Sequence, residues 1–158
     1  MIADVVVRLA RPGDAADIAV MSRDCIEHGL PWSWREARVV HSIRDPETNV
    51  AVVGGPRAIT AFGIMNYQDD EAHLLLFAVD AAWRRKGVGS ALLRWLEDVA
   101  RTAGVSRILV DARMTNSAGR NFYAEHGYHE RAITKGRYCG VEDGVRLEKW
   151  LRVAEPGP

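Results

Sequence analysis

The chain has 158 residues, 47% of them hydrophobic, which is enough apolar material for one substantial core and predicts a single domain over residues 1–158. Its 21 Lys and Arg cancel its 21 Asp and Glu, so no global field holds it to nucleic acid or to an anionic membrane, and any polyanion must be bound locally. Two distant cysteines, Cys25 and Cys139, have neither CxxC nor zinc spacing, which fits a reducing, cytoplasmic setting, and no apolar run approaches the ~18 residues of a membrane span.

The β-branched run from Val5 to Leu9 predicts a first strand, and the early Arg8, Arg11 and Pro12 interrupt it too soon for a signal peptide. Pro12-Gly13-Asp14 then opens a helical pattern with Ile18, Met21 and Cys25 along one side. Ser33 and Glu36 have the spacing of a reciprocal capping box, so a second helix is expected from there to about Arg44, before Pro46. Three antiparallel strands follow: 49–53, 58–67 and 72–79, separated by the turns Gly54-Gly55-Pro56-Arg57 and Gln68-Asp69-Asp70.

After Val79 the pattern changes to a basic, glycine-containing turn and then to helical spacing of Val88, Leu92, Trp95 and Val99, a stripe expected to face the sheet. Gly104 ends that helix and residues 107–111 form the next strand, so 72–111 has a strand–helix–strand outline. Asn116 can cap a fourth helix that stops at Gly127, with Phe122 on its packing side and Tyr123 turned about 100° away, toward a cleft. Residues 128–133 and 145–151 read as two closing strands, the second opened by the turn pair Asp143-Gly144. The expected class is α/β (α+β): a mixed, mostly antiparallel sheet of about seven strands flanked by about four helices.

The glycine turn Arg84-Arg85-Lys86-Gly87-Val88-Gly89 stands at a helix start, where unpaired amides and the helix dipole favour an anion. Gly87 and Gly89 let the backbone come close, and the basic triplet adds fixed charge suited to a pyrophosphate. A dinucleotide fingerprint would need glycine at position 92, where Leu92 stands, and no Gly-Lys-Ser/Thr of a P-loop exists. An isolated glycine pair could also merely shape a turn.

With the strand end Phe77-Ala78-Val79-Asp80 before it, this turn resembles the acetyl-CoA turn of the GNAT N-acetyltransferase superfamily. That family's second signature is matched by Asn116-Ser117-Ala118, Phe122-Tyr123 and Gly127-Tyr128. Pro31-Trp32-Ser33, Val110-Asp111-Ala112-Arg113, Gly136-Arg137-Tyr138 and Asp143-Gly144 are similar to the bacterial ribosomal-protein alanine N-acetyltransferases. The resemblance implies acetyl transfer from acetyl-CoA to a primary amine, a protein N-terminus or a small molecule, by direct attack in a ternary complex. It implies coenzyme contacts at Phe77, Ala78 and Val79, at Arg84 through Ser90, and at Asn116 and Tyr123.

Acyl transfer to an amine has two proton problems: an ammonium of pKa ~10 cannot attack, and a departing thiolate of pKa ~8.5 is eased by a donor. The resemblance puts the donor at Tyr123. Three residues compete as base. Asp111 occupies the position of the subgroup's proposed glutamate, shortened so that relay through a water is expected; His73 and Glu71 share one face of the strand bordering the cleft. No HExxH or comparable spacing exists among the histidines, so no metal is expected. Cys25 reads as core, and Trp32 and Trp34 as either entrance or packing residues. A non-catalytic CoA-binding sensor is the rival function, and a tRNA-directed enzyme is disfavoured by zero net charge. No nucleic-acid or membrane partner is expected, and a homodimer is left open.

Overall fold

The computed structural model describes residues 5–54 and 58–151. Its elements are β1 (Val7–Leu9), α1 (Ala15–Cys25), α2 (Glu36–Arg44), β2 (Thr48–Gly54), β3 (Ile59–Gln68), β4 (Glu71–Val79), α3 (Val88–Ala103), β5 (Arg107–Arg113), α4 (Ser117–Glu125), β6 (His129–Tyr138) and β7 (Glu142–Trp150). The expected turn at Gly55, Pro56 and Arg57 lies outside the described residues.

The strands form one seven-stranded sheet in the order β1-β2-β3-β4-β5-β7-β6, with β4 and β5 parallel and every other pair antiparallel. Helices α1 and α2 close one core around Ile18, Val39, Phe62, Ile64 and Leu76. On the other face α3 and α4 close a second around Leu92, Leu96, Met65, Leu74, Val110 and Leu147. Helix α3 sits so close to β3 that a Cβ on Gly63 would lie 2.8 Å from Leu96 Cδ1. The carboxylate of Glu97, 3% exposed, accepts the Tyr128 hydroxyl at 2.9 Å and pairs with Lys149 at 3.0 Å, so no buried charge is left unpaired there.

Three local expectations fail for identifiable reasons. Ser33 does not cap α2: its hydroxyl donates to Glu27 Oε1 at 2.6 Å, and Arg35 occupies the N-cap position without a side-chain bond. Asp143-Gly144 lies inside β7, with Gly144 paired to Thr134 and Arg113; the reversal comes earlier, where Cys139 (φ 55°) and Gly140 (φ 71°) adopt left-handed backbone. The sheet-facing stripe of α3 is rotated, running through Val88, Leu92, Leu93, Leu96 and Ala100, while Trp95 and Val99 flank it.

Candidate functional site

Two features of β4 open the sheet. The parallel pairing with β5 covers only Glu71–Leu74 against Arg107–Val110, so Leu75–Val79 continue without a strand on that side. Within the same strand the register to β3 slips, Ile64 facing Leu76 but Met65 facing Leu74, which leaves Leu75 as an extra residue. The bulge inverts the alternation. Before it Ala72 and Leu74 join the α3/α4 core; after it Leu76 and Ala78 join the α1/α2 core, and Phe77 and Val79 turn toward α3 and α4.

The parted strands leave a cleft of about 1190 Å³ that passes through the sheet plane. On the α3/α4 side, the turn before α3 presents its backbone to this cleft. Arg85 (φ 60°) and Gly87 (φ 82°) are left-handed, the former a position of real strain for a side chain. The first helical bond runs from Ala91 N–H to the Gly87 carbonyl, so the amides of Val88, Gly89 and Ser90 precede the helical ladder. A Cβ on Gly89 would lie 3.3 Å from Val79 Cγ2 and 3.4 Å from the Phe122 ring, so a side chain there would fill the space between turn and β4. Arg84 and Arg85 line the cleft; Arg84 Nε donates to the Val79 carbonyl at 3.1 Å. Lys86 leans over the Trp83 ring and Val88 is core, so the side chains of these two are not on the cleft wall. An anionic, elongated coenzyme fits these residues: amides and two guanidinium groups at one end, the unpaired edge of Phe77–Val79 along its length.

Tyr123 lines the cleft as the helical wheel expects, but its ring is more deeply buried than that of Phe122. It is 6% exposed and belongs to the α3/α4 core, with Phe77, Phe122 and Tyr128 rings at 6.2, 5.5 and 5.6 Å, while Phe122 is the half-buried neighbour stacked on Phe77. Its hydroxyl makes no hydrogen bond to a described residue, yet it is not a sealed, orphaned atom, so it opens onto the cleft. Burial, and secondarily the nearby Tyr138, raises its pKa above the ordinary phenol value, so it stays protonated near neutrality. Asn116 caps α4, its Oδ1 accepting Gly119 N–H at 3.0 Å, and leaves Nδ2 without a bond to a described residue.

On the α1/α2 side the base candidates separate. Asp111 is held by Arg146 on both oxygens, at 3.2 and 3.1 Å, with Arg137 at 3.8 Å. His73 Nε2 lies 3.4 Å from Glu71 Oε2, and Glu71 is itself tied to Arg107, which bonds to Glu148 at 2.7 Å. The Arg107 bond holds the Glu71 carboxyl below its usual range. Of the three, His73 and Asp111 line the cleft and Glu71 does not.

Four contributors escaped the sequence reading. Glu27, 7% exposed, accepts from Ser22, Ser33 and the Trp34 amide; burial opposes its ionisation, but these bonds outweigh it and lower its pKa, fixing the chain between α1 and α2. Arg113 donates to the carbonyls of Ile26 at 3.1 Å and His28 at 2.8 Å and pairs with Glu142 at 2.6 Å, tying that segment to β5 and β7. Glu142 accepts the Thr115 hydroxyl, the Arg113 guanidinium and the Thr115 amide, and these bonds lower its pKa to about 2. Tyr138, within the motif Gly136-Arg137-Tyr138, lines the cleft with its phenol pushed up to about 12 by burial and the Asp111 charge. Cys25 lines it too rather than lying wholly in the core, its thiol pushed up by burial against the opposing Arg84. Trp34 is buried, with the Arg38 guanidinium 3.8 Å over its ring, and also lines the cleft, whereas Trp32 Nε1 donates to the Ala19 carbonyl and its ring is not on the cleft wall. No cluster of metal-ligating side chains exists among the described residues, and no described helix is long and apolar enough to cross a membrane.

Comparison with known proteins gives concordant matches. The family described as Acetyltransferase (GNAT) family matches residues 19–128. The ribosomal protein bS18-alanine N-acetyltransferase of Salmonella typhimurium is 32% identical over 121 residues, covering 75% of this chain and 80% of the relative. The crystal structure of the ribosomal-protein-S18-alanine N-acetyltransferase from Escherichia coli superimposes with a TM-score of 0.81 at 24% identity, over 96% of this chain and 97% of that one. The PaiA N-acetyltransferase of Thermoplasma acidophilum, determined in complex with coenzyme A, has the same fold at a TM-score of 0.79 and 15% identity, over 94% and 99% of the two chains.

Proposed function

We propose, from the premise that the chain belongs to the GNAT acetyltransferase family and is an acetyl-CoA-dependent N-acetyltransferase, that its acceptor is the N-terminal amine of a protein, an alanine such as that of ribosomal protein bS18. The observation that carries this is a cleft through the sheet with different chemistry on its two sides. Anion-binding backbone and an unpaired phenol stand on the α3/α4 side; an imidazole and a fixed segment between α1 and α2 stand on the other. An extended chain end can enter between that segment and the β6–β7 turn while the thioester comes from the opposite face. We read residues 1–158 as one catalytic domain on the strength of the single sheet.

In this reading the coenzyme is bound by the turn Arg84–Ser90 and by Phe77–Val79, with Asn116 Nδ2 available to it. His73 accepts the ammonium proton, directly or through a water, because it lines the cleft and Glu71 orients its ring. Asp111 ranks behind it, since both of its oxygens already accept from the Arg146 guanidinium. The free amine attacks the acetyl carbonyl carbon, the C–S bond breaks as the intermediate collapses, Tyr123 gives its proton to the departing thiolate, and the proton that the nitrogen sheds on becoming an amide restores the phenol. Incubation with acetyl-CoA and peptides differing only in the N-terminal residue, beside a panel of small amines, tests the acceptor. Mass addition on alanine-initiated peptides is expected; turnover confined to small amines would overturn the acceptor, and tight coenzyme binding without turnover on any amine would leave a sensor.

A further inference from the structure

His126 has no place in the reaction above, yet it joins the two elements that flank the coenzyme side of the cleft. It follows α4 directly, its ring lies 4.4 Å from that of Phe122, and it lines the cleft. Nδ1 lies 2.8 Å from the Phe122 carbonyl, and Nε2 lies 3.0 Å from Ser90 Oγ on the first turn of α3. A carbonyl only accepts, so Nδ1 must carry hydrogen, and the role of Nε2 then depends on charge. In the neutral ring Nε2 accepts, and the Ser90 proton is spent on it. In the imidazolium Nε2–H donates to Oγ, and the Ser90 hydroxyl is released to donate elsewhere, beside the unpaired amides of the turn.

We infer that His126 is a proton-linked positioning residue for the coenzyme: the anionic pyrophosphate is held best when His126 is protonated and Ser90 donates, so binding is accompanied by proton uptake at this ring. The inference rests on the coenzyme placement proposed above. The charged groups around the ring act in both directions. Arg84 and Arg85 on the turn, with Lys149 of β7 reaching toward Gly127, oppose the imidazolium; Glu125 on α4 favours it, and the β4 residues beside Phe122 and Gly89, Phe77 and Val79, are apolar. A bound polyanion reverses the sign of the field from the turn, and that reversal drives the uptake.

The test uses the full chain and coenzyme A alone, titrated calorimetrically from about pH 5.5 to 8.5 in paired buffers of different ionisation heat, the range in which an imidazole changes charge. The coenzyme's own phosphate ionisation near pH ~6 is common to every variant and cancels in the comparison. His126→Asn puts an amide nitrogen at the Nδ1 position and keeps the Phe122 bond; His126→Gln reaches Ser90; neither titrates. Wild type is expected to take up protons on binding and to gain about tenfold in affinity relative to both variants from the alkaline to the acid end, the equivalent of about one unit of linked pKa shift. Ser90→Ala, which keeps the ring but lacks the relay, should lose most of that gain. Identical proton uptake and pH slope in wild type and both His126 variants would overturn the inference, as would a Ser90→Ala protein that keeps the full gain. A purely structural role would lower the melting temperature and leave the slope untouched. Failure of the wild type to bind coenzyme A at any pH would instead overturn the coenzyme placement itself.

Discussion

Replacing Tyr123 by Phe removes one oxygen and separates chemistry from packing by the sign of two effects. A buried hydroxyl that is hydrogen-bonded contributes about 0.5–1.5 kcal/mol, and its loss would lower the melting temperature of a chain this size by about 1–6 °C. The Tyr123 hydroxyl has no such partner among the described residues, and its ring is held by three aromatic neighbours that Phe would keep. The variant is therefore expected to be as stable as wild type or slightly more so. If the phenol protonates the thiolate, kcat should fall about 10²–10⁴-fold, or about 2.7–5.4 kcal/mol in the transition state, with little change in coenzyme affinity. Calorimetric melting and free-thiol release measure the two quantities on one preparation. A Phe variant that melts several degrees lower while keeping full turnover would refute the assignment and make Tyr123 a packing residue.

At Gly89, Val should abolish the rise in melting temperature that acetyl-CoA produces, about 2.7 kcal/mol of linkage at a hundredfold excess over Kd, while the apo protein keeps a cooperative transition; an unchanged rise would misplace the cradle. His73→Gln should remove the acidic limb of the pH–rate profile, whereas Asp111→Asn should lower activity without changing its shape; the opposite result transfers the base to Asp111. Glu142 is depressed from 4.5 to about 2, so the stability it contributes is complete above about pH 4.5 and is lost as pH falls toward 2. Urea titrations across that window should show Glu142→Gln with a lower midpoint near neutrality and a flatter acid dependence than wild type; parallel curves would deny the linkage. Exhaustive chelation should leave the rate unchanged, and activity restored by one divalent ion would overturn metal independence.

Elements governed by short-range rules were legible in the residues. Gly104 does end α3 in left-handed backbone at φ 82°, Asn116 does cap α4, and the β4–α3–β5 unit has the parallel pairing its outline implied. What escaped depends on which partner wins a polar side chain. Ser33 had the spacing to cap α2, but a buried Glu27 needs donors more than an exposed helix end does, and it takes the hydroxyl. Asp111 stood at the expected position for a base, and only the register of β5 against β7 puts Arg146 opposite it. His126 looked unremarkable because its partner Ser90 is distant in sequence. The α4 wheel put Phe122 inward and Tyr123 toward a cleft; a short helix lying over an open seam in the sheet instead brings both rings to the cleft, packed on Phe77.

The extra residue at Leu75 works as a change of phase within β4. Upstream of it Ala72 and Leu74 face α3 and α4, and His73 has the opposite face; downstream Phe77 and Val79 face α3 and α4, so one strand carries two surfaces that never share a position. One wall of the cleft is supplied by residues around 24–38 and 137–139, and the other by those around 77–90 and 116–126. Substitutions can thus accumulate on one wall without disturbing the other, since no residue of β4 belongs to both. Deleting Leu75 should therefore straighten β4 without moving any residue to the other face, because the pairs Met65–Leu74 and Ile64–Leu76 then follow each other in regular alternation.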